Sequence, residues 1–375
     1  MEIQGYFESQ FKPVKDLYED LYKQERELGS SFSVYKNGRP LVDLWAGYAD
    51  KEKLKIWKQD SLATVWSTTK GVAALTCALA VERELLDYNK KVSYYWPEFG
   101  CKGKEDITVA MLLSHQAGIC GPQTKKIEDF FNQELMASKL ADMSPIWKPG
   151  TSSGYHSMTF GWLTSELIIR TTGETLGNFY RNEIGKPNDI DFYIGLPEKE
   201  DHRAVEMIPF GREKNKEAAK KKPTEAQIAS NVGPNLLKGQ NTRAWREAEI
   251  PSANGQGSAS GLAKLYSLVV PSDSSLNILR EDTIRKMTQP QIEGKDLVLD
   301  VETRWASGLV LNKRKFIYGP IEDSFGHSGF GGSCAFADPQ NNLGISYVMN
   351  KMENNFNSDG RSVELIHAIY KCLEK

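Results

Sequence analysis

An apolar run from Thr68 to Val81, with one glycine and no proline, constrains this chain more than any other stretch. Alanine, leucine and valine fill most of it, so the run predicts a helix that is apolar on every side and must be buried. Ser67 and Lys70 open the run. At i and i+3 their side chains share one face, beside the unpaired amides of the helix N-terminus. The pair is typical of an activated serine, because burial lowers the pKa of a lysine.

Ser-x-x-Lys pairs also arise by chance, and the chain contains three of them. Ser9 and Lys12 lie just ahead of a charged helix. Ser33 and Lys36 lie in a strand-like run, where a spacing of three points the two side chains to opposite faces of a sheet. Only the pair at the start of the apolar run has a setting that brings hydroxyl and amine together.

The composition excludes several classes of function. With 26% charged residues and a net charge of −2, the chain has no general attraction for nucleic acid or an anionic membrane. Five scattered cysteines, no apolar run approaching the length of a membrane span and no leader-like N-terminus favour a cytoplasmic protein. The five histidines form no metal-binding motif and no phosphate-binding glycine motif is present, so we expect neither metal nor cofactor.

Hydrophobic periodicity gives the order of the elements. Residues 12–28 predict an amphipathic helix ended by Gly29. Residues 31–36 and 41–48 predict a hairpin with a type I′ turn at Asn37 and Gly38. Further helices are predicted over 107–113 with Thr108 as cap, 123–143, 158–172 closed by Gly173, 260–270 and 362–373. Strands are predicted over 304–311, 325–332, 334–338 and 343–350.

Strands at both ends of the chain, with helices between them, predict an α+β fold in one domain spanning residues 1–375. One antiparallel sheet would combine residues 1–66 and 300–375 and be flanked by helices, with residues 67–299 as a large helical insertion. The mixed charge run from Arg212 to Pro223 has no apolar period, which favours a solvated surface segment over a basic docking site.

Two loops are candidates for a site. His115 and Gln116 follow the helix predicted over 107–113 and enter a glycine turn, which fits either a plain helix stop or a loop that lines a site. Tyr155 lies in an exposed loop of small residues just before a helix. Taken alone, this tyrosine fits a structural role as well.

Three motifs in order carry a resemblance to a known family: Ser67-Thr68-Thr69-Lys70, then Gly154-Tyr155-His156-Ser157, then Gly326-His327-Ser328-Gly329-Phe330-Gly331-Gly332. This order resembles the serine β-lactamase and penicillin-binding-protein superfamily. Within it, the opening hairpin at 34–40 and the segment 43–47 resemble those of the class C-like carboxylesterases called family VIII. The resemblance covers nearly the whole chain and implies a β-lactamase/transpeptidase-like α/β sandwich.

The resemblance also implies roles for single residues. Ser67 would attack a carbonyl and form an acyl-enzyme, while Lys70 and Tyr155 relay the proton. The phenolate of Tyr155 would be favoured beside a lysine ammonium. Backbone N–H groups of Ser67 and Phe330 would form an oxyanion hole, and Gly329 would allow close approach to the substrate. Gln116 would contribute to substrate binding.

The chain departs from the superfamily at two positions. His327 stands where penicillin-recognising members carry lysine, and Ser157 stands where they carry asparagine. A histidine near its ordinary pKa is only partly cationic at neutral pH, which weakens the grip on a substrate carboxylate. The expected substrate is therefore a small neutral acyl compound, an ester above all. β-Lactamase or peptidase activity and a non-catalytic scaffold remain as alternatives.

Overall fold

The structure is a computed structural model that describes residues 1–121, 124, 126–210, 222–231, 233, 235–270, 277–312, 317–354 and 360–374. Of the charged run from Arg212 to Pro223, all but the last two residues lie outside this part of the chain. The surface position of that run therefore stays a prediction.

Helices and strands alternate irregularly along the chain. The α-helices are α1 (Lys12–Lys23), α2 (Thr68–Glu82), α3 (Val92–Tyr95), α4 (Val109–Leu113), α5 (Gln133–Asp142), α6 (Thr159–Thr172), α7 (Leu176–Tyr180), α8 (Glu225–Ser230), α9 (Arg243–Glu247), α10 (Ala259–Ser267), α11 (Glu281–Thr288) and α12 (Gly360–Leu373). The strands are β1 (Gln4–Phe7), β2 (Gly29–Lys36), β3 (Arg39–Gly47), β4 (Ala63–Thr64), β5 (Phe192–Tyr193), β6 (Gln256–Gly257), β7 (Ile292–Lys295), β8 (Glu302–Trp305), β9 (Val310–Leu311), β10 (Phe325–Ser328), β11 (Cys334–Asp338) and β12 (Leu343–Met349).

A nine-stranded antiparallel sheet in the order β1-β3-β2-β12-β11-β10-β9-β8-β7 forms the centre of the fold. The two ends of the chain meet where β2 pairs with β12, with Val34 opposite Ile345. A small sheet of β4, β6 and β5 lies apart. The predicted α+β fold, with a sheet assembled from both ends of the chain, is confirmed.

The first hairpin has the predicted turn, since φ is +50° at Asn37 and +74° at Gly38, as a type I′ turn requires. The predicted end of the first helix is wrong, because α1 stops at Lys23 and Gly29 opens β2. A Cβ at Gly29 would lie 2.1 Å from the carbonyl oxygen of Tyr48. This glycine therefore allows two backbones to approach closely instead of capping a helix.

The apolar run folds as predicted into the buried helix α2, in which every residue from Thr68 to Ala80 is buried. The helix packs against β10 and against α6 and α11. Gly308 lies beside it, where a Cβ would come within 2.7 Å of Ala74 Cβ. The sheet and the helical layer thus meet along α2, whose first turn carries the serine and the lysine.

The C-terminal group of strands in the large sheet begins earlier in the chain than predicted. The strand predicted over 304–311 is a hairpin of β8 and β9, which turns at Gly308 with φ +85°. Strand β7 lies inside the stretch that was expected to be a helical insertion. Helix α10 also lies in that stretch and packs on β2, β11 and β12. The boundary at residues 299 and 300 is therefore wrong.

The helix predicted over 123–143 is interrupted. A 3₁₀-helix spans Ile127–Phe131, and α5 follows it. Asn132 separates the two, and its side chain accepts a hydrogen bond from the N–H of Leu135. Asparagine is a preferred N-cap, so the sequence contains a helix start that periodicity alone overlooked.

Candidate active site

Ser67 stands at the start of α2, directly after a strained residue. Trp66 has φ +47°, which is a left-handed backbone conformation that costs a residue other than glycine about 1–3 kcal/mol. Packing holds it there, since its ring lies 5.5 Å from that of Trp245 and 5.6 Å from that of Phe330. The sharp turn at Trp66 leaves Ser67 lining two adjoining pockets.

Lys70 is fully buried, and its amine has three neighbours. Its Nζ lies 3.1 Å from Ser67 Oγ, 2.7 Å from the carbonyl oxygen of Ser157 and 2.8 Å from that of Ser252. Burial lowers the pKa of Lys70 well below its ordinary value. All three oxygens lie where they can accept a hydrogen bond from the amine. Loss of one proton leaves the amine with two N–H groups for the carbonyls and a lone pair for the hydroxyl of Ser67.

Tyr155 lies over the same amine, with the centre of its ring 4.7 Å from Lys70 Nζ. Tyr155 lines both pockets together with Ser67, and its ring stacks on that of Trp305 at 5.8 Å. Burial raises the pKa of Tyr155 above its ordinary value. The expected phenolate is therefore not favoured, because burial favours the neutral form of the Tyr155 phenol and lowers the pKa of the Lys70 amine, which favours its neutral form as well.

The turn between β10 and β11 is fastened to the start of α2. Ser333 Oγ donates to the carbonyl oxygen of Val65 at 2.7 Å and lies 3.0 Å from Thr68 Oγ1. A Cβ at Gly329 would lie 2.2 Å from the same carbonyl oxygen of Val65. Only glycine allows this approach, which brings Phe330 to the pocket walls beside the serine.

His327 is buried at the end of β10, and its Nδ1 lies 2.8 Å from the carbonyl oxygen of Ser328. A carbonyl only accepts hydrogen bonds, so this contact assigns the proton of the neutral ring to Nδ1. Burial, assisted by the nearby Lys70, lowers the pKa of His327 to about 3. The expected partial positive charge at neutral pH is therefore absent, and the imidazole is neutral.

Of the other two predicted site residues, Ser157 lines a pocket beside Ser67 and Gln116 does not. Ser157 lines the site, and it is its backbone carbonyl that holds Lys70. A carbonyl is common to all residues, so this contact does not require asparagine. Gln116 is buried, and its Nε2 donates to Ser114 Oγ at 2.6 Å. Neither pocket at Ser67 includes it among the described residues, and its expected place in substrate binding is wrong.

Two pockets share Ser67, Tyr155 and Phe330. The larger, of 520 Å³, is otherwise lined by Trp66, Phe130, Ser157, Met158, Ser230, Asn231, Gly233, Asn235, Leu236, Leu237 and Ala253. The smaller, of 360 Å³, is otherwise lined by Leu299, Val301, Glu302, Thr303, Arg304, Trp305, Val310, Leu311, Asn312, Ile317, Tyr318, His327, Ser328 and Gly329. A wider cleft of 1170 Å³ lies elsewhere, near Tyr94 and Arg285, and includes none of the three shared residues.

Sequence reasoning missed three residues of the site: Ser252, Ser333 and Trp305. Ser252 acts through its carbonyl, Ser333 directly follows the third motif without belonging to it, and Trp305 lies in strand-rich sequence with no motif around it. No signal in the sequence marks a carbonyl as a ligand. Within the described residues, no group of histidine, cysteine and carboxylate side chains is arranged to hold a metal ion.

A hydroxyl held 3.1 Å from a buried amine of lowered pKa, at the start of a buried helix, suits an enzyme that forms acyl intermediates on serine. Together with the antiparallel sheet, this pairing defines a class of serine hydrolases. The chain belongs to the β-lactamase family, whose model matches residues 14–368. The predicted membership in this superfamily and the prediction of a serine hydrolase are confirmed.

Solved and curated relatives agree with this assignment. The chain is 40% identical to a family VIII carboxylesterase of known structure, with a TM-score of 0.92 and coverage of 99% of this chain and 100% of that one. A penicillin-binding-protein homologue from Caulobacter crescentus is 35% identical, with a TM-score of 0.90 and coverage of 99% and 100%. The esterase/β-lactamase LipL of Mycobacterium tuberculosis is 29% identical over 362 residues, which are 93% of this chain and 83% of LipL.

The described part of the chain contains no helix of the length and apolar character needed to cross a membrane.

Proposed function

We propose that the protein hydrolyses neutral carboxylic esters through an acyl-enzyme on Ser67, with Lys70 as the general base. One observation carries this proposal. The amine of Lys70 lies 3.1 Å from Ser67 Oγ, and two backbone carbonyls occupy its N–H groups. The amine can therefore accept the proton of the hydroxyl as the hydroxyl attacks.

In acylation, Ser67 Oγ forms a bond to the carbonyl carbon and its proton moves to Lys70. The bond to the alcohol oxygen then breaks. The proton reaches that oxygen from Lys70 through the neutral phenol of Tyr155, which interacts with the serine at the same point. Backbone N–H groups of Ser67 and Phe330 stabilise the negative charge that develops on the carbonyl oxygen.

In deacylation, water takes the place of the alcohol. Lys70 accepts a proton from the water as its oxygen attacks the acyl carbon, and the serine oxygen is released and reprotonated. The same base thus serves both halves of the reaction. The alcohol leaves after acylation and the acid after deacylation, and neither step uses a cofactor.

The chemistry of the pocket supports neutral substrates. His327, at the position where penicillin-recognising members carry a lysine, is neutral because its pKa is about 3. Apolar side chains such as Leu299, Val301 and Ile317 form much of the smaller pocket. The names of two relatives, a family VIII carboxylesterase and an esterase/β-lactamase, also support ester hydrolysis.

A panel of chromogenic esters of increasing acyl length, assayed beside a chromogenic cephalosporin, tests the proposal. Neutral esters should be hydrolysed about 10- to 100-fold faster in kcat/KM, since a charge-assisted hydrogen bond to a carboxylate, which neutral His327 does not offer, contributes about 1.5–3 kcal/mol. Equal rates for the cephalosporin and the best ester would favour the β-lactamase alternative. Absence of turnover for every substrate, with Ser67 unreactive to an acylating probe, would favour the scaffold.

A cytoplasmic location is also part of the proposal. Its support is that none of the five cysteines forms a disulfide and that four of them are buried. Reduced thiols are usual in a reducing compartment. Fractionation of cells that produce the protein would test it, and recovery in an extracellular or periplasmic fraction would contradict it.

A further inference from the structure

Three successive backbone N–H groups of the Tyr155 loop are held by two residues from elsewhere in the chain. The N–H of Gly154 donates to the carbonyl oxygen of His115 at 3.0 Å. The N–H of Tyr155 donates to Asp296 Oδ1 at 3.0 Å, and the N–H of His156 donates to His115 Nδ1 at 3.2 Å. His115 thus binds the backbone on both sides of the tyrosine.

The side chain of His115 is suited to this contact in one tautomer. Because Nδ1 accepts a hydrogen bond, the proton of the neutral ring is on Nε2. The residue is fully buried, and burial lowers its pKa well below the ordinary value for histidine, so Nδ1 stays free to accept. The ring also packs against the candidate catalytic groups, 5.0 Å from the ring of Tyr155 and 4.4 Å from that of Trp305.

Asp296 links the Tyr155 loop to the segment that follows Asp296 in the chain. Its Oδ1 also accepts from the N–H groups of Val298 and Leu299, each at 3.0 Å. Leu297 in turn donates its N–H to the carbonyl oxygen of Ser153 at 2.9 Å. One carboxylate oxygen therefore ties the Tyr155 loop to the segment that lines the smaller pocket.

We infer that His115, together with Asp296, is a positioning residue that fixes the phenol of Tyr155 for proton transfer at Ser67. The inference rests on the proposed function, in which Tyr155 carries the proton to the leaving alcohol. The ring of Tyr155 packs against those of His115, Trp305 and His327 and under the amine of Lys70. Its backbone is held by the loop, so the placement of its hydroxyl depends on the loop as well as on these ring contacts.

Proton transfer is sensitive to such placement, because donor and acceptor must come within hydrogen-bond distance in the transition state. Catalytic groups work when they are held within about 0.5 Å of the productive geometry. If Nδ1 is lost, the N–H of His156 loses its acceptor, and one of the three hydrogen bonds that hold the loop around Tyr155 is gone. Substrate binding in the two pockets would change little, so the loss should fall on kcat and not on KM.

The test is a double-mutant cycle between His115→Phe and Tyr155→Phe, measured on a neutral chromogenic ester. His115→Phe keeps a ring but removes the acceptor, and it should lower kcat about 10- to 100-fold with KM within about threefold. In the Tyr155→Phe background the same change should lower kcat less than about threefold, because the group it positions is already gone. Asp296→Ala should behave in the same way.

A rescue variant and a control variant test whether the loss in kcat is due to the missing acceptor at His115. His115→Asn offers an amide oxygen near the place of Nδ1 and tolerates the left-handed backbone of His115, where φ is +63°, so it should recover most of the lost kcat. Gln116→Met is the control, since it changes a buried polar side chain in the same loop that contacts Ser114 and not the tyrosine loop. It should leave kcat within about twofold of the wild type.

Two results would overturn the inference, and they are distinguishable. If His115→Phe lowers kcat by the same factor in both backgrounds, His115 does not act through Tyr155, and the proposed function is unaffected. If Tyr155→Phe alone keeps wild-type kcat, the proposed role of Tyr155 fails, and the inference fails with it. Unfolding midpoints of all variants show whether a loss of kcat reflects a loss of folded protein.

Discussion

The carbonyl oxygen of Ser252 lies 2.8 Å from the amine of Lys70, although the two residues are 182 positions apart in the chain. A carbonyl accepts hydrogen bonds and cannot donate one, so this contact assigns one N–H of the amine. Ser157 assigns a second in the same way. The backbone of two loops therefore fixes the orientation of the amine beside Ser67, while burial lowers the pKa of Lys70 and so favours the neutral form that can act as a base.

Replacing Lys70 with arginine should abolish ester hydrolysis. A guanidinium stays protonated and cannot accept the proton of Ser67, although its size is similar. The groups of a proton relay fail as a unit, so the loss in kcat should be at least about 1000-fold. Steady-state kinetics checks this, and a loss below about tenfold would indicate that Lys70 only packs in the core.

The pH profile of the wild type follows from the same two pKa shifts. Lys70 must be neutral to act as a base, and burial lowers its pKa well below 10.5, so the acid limb of kcat/KM should fall at a pH well below 10.5. Tyr155 must keep its proton, and its raised pKa places the alkaline fall above the ordinary phenol value of 10.0. An acid limb centred near 10.5 would show that the lysine is charged in the resting enzyme.

His327→Lys should shift specificity towards anionic substrates. A fixed positive charge in the smaller pocket would give a carboxylate a charge-assisted hydrogen bond, which predicts a gain of about 10- to 100-fold in kcat/KM for a cephalosporin. Short neutral esters should change little. His327→Gln, which adds no charge, is the control. An equal gain for both classes of substrate would show that the carboxylate is not what the lysine recognises.

The structure also revises the pH dependence expected for anionic substrates. A histidine with an ordinary pKa would become charged as the pH falls below neutrality, and anionic substrates would gain. The pKa of His327 is about 3, so no such gain is expected over the range in which the protein is active. Comparing an anionic with a neutral substrate over that range checks this, because their ratio should stay constant.

Gly329→Ala should disrupt the site by steric clash. A Cβ there would lie 2.2 Å from the carbonyl oxygen of Val65 and 2.2 Å from Ser333 Oγ, so the turn that carries Phe330 must move away from Ser67. We expect a loss in kcat of about 100-fold or more, the scale associated with one lost oxyanion donor. Gly173→Ala is the control, since it meets no atom within 4 Å and costs only backbone strain. Similar kcat losses in both variants would contradict the account.

Local signals in the sequence were sufficient for much of the fold. The serine and lysine at i and i+3, the Asn37-Gly38 turn and the uniform burial of α2 each follow from neighbouring residues, and each is found as expected. The ends of elements were harder. Gly29 resembled a helix cap, but tertiary contact with Tyr48 requires it, and such a contact leaves no mark in the surrounding sequence.

The sequence predicted those parts of the site that consist of side chains within recognisable motifs. Motif order identified Ser67, Lys70 and Tyr155, which lie together in the structure. Gln116 was wrongly included because a polar residue after a helix resembles a loop that lines a site. The lowered pKa of Lys70 follows from burial, which the apolar run predicts, whereas the raised pKa of Tyr155 follows from the burial of a loop that no local pattern marks.

The most direct test of the central claim is mass spectrometry of the intact protein and its peptides after brief reaction with a slowly hydrolysed ester. The account predicts one acyl group per chain, attached to the peptide that contains Ser67. Ser67→Ala should show no adduct and no turnover while remaining folded, because the serine makes no side-chain capping bond in α2 and its loss should cost less than about 1 kcal/mol. An adduct on another residue, or wild-type turnover by Ser67→Ala, would contradict the assignment of Ser67 as the nucleophile.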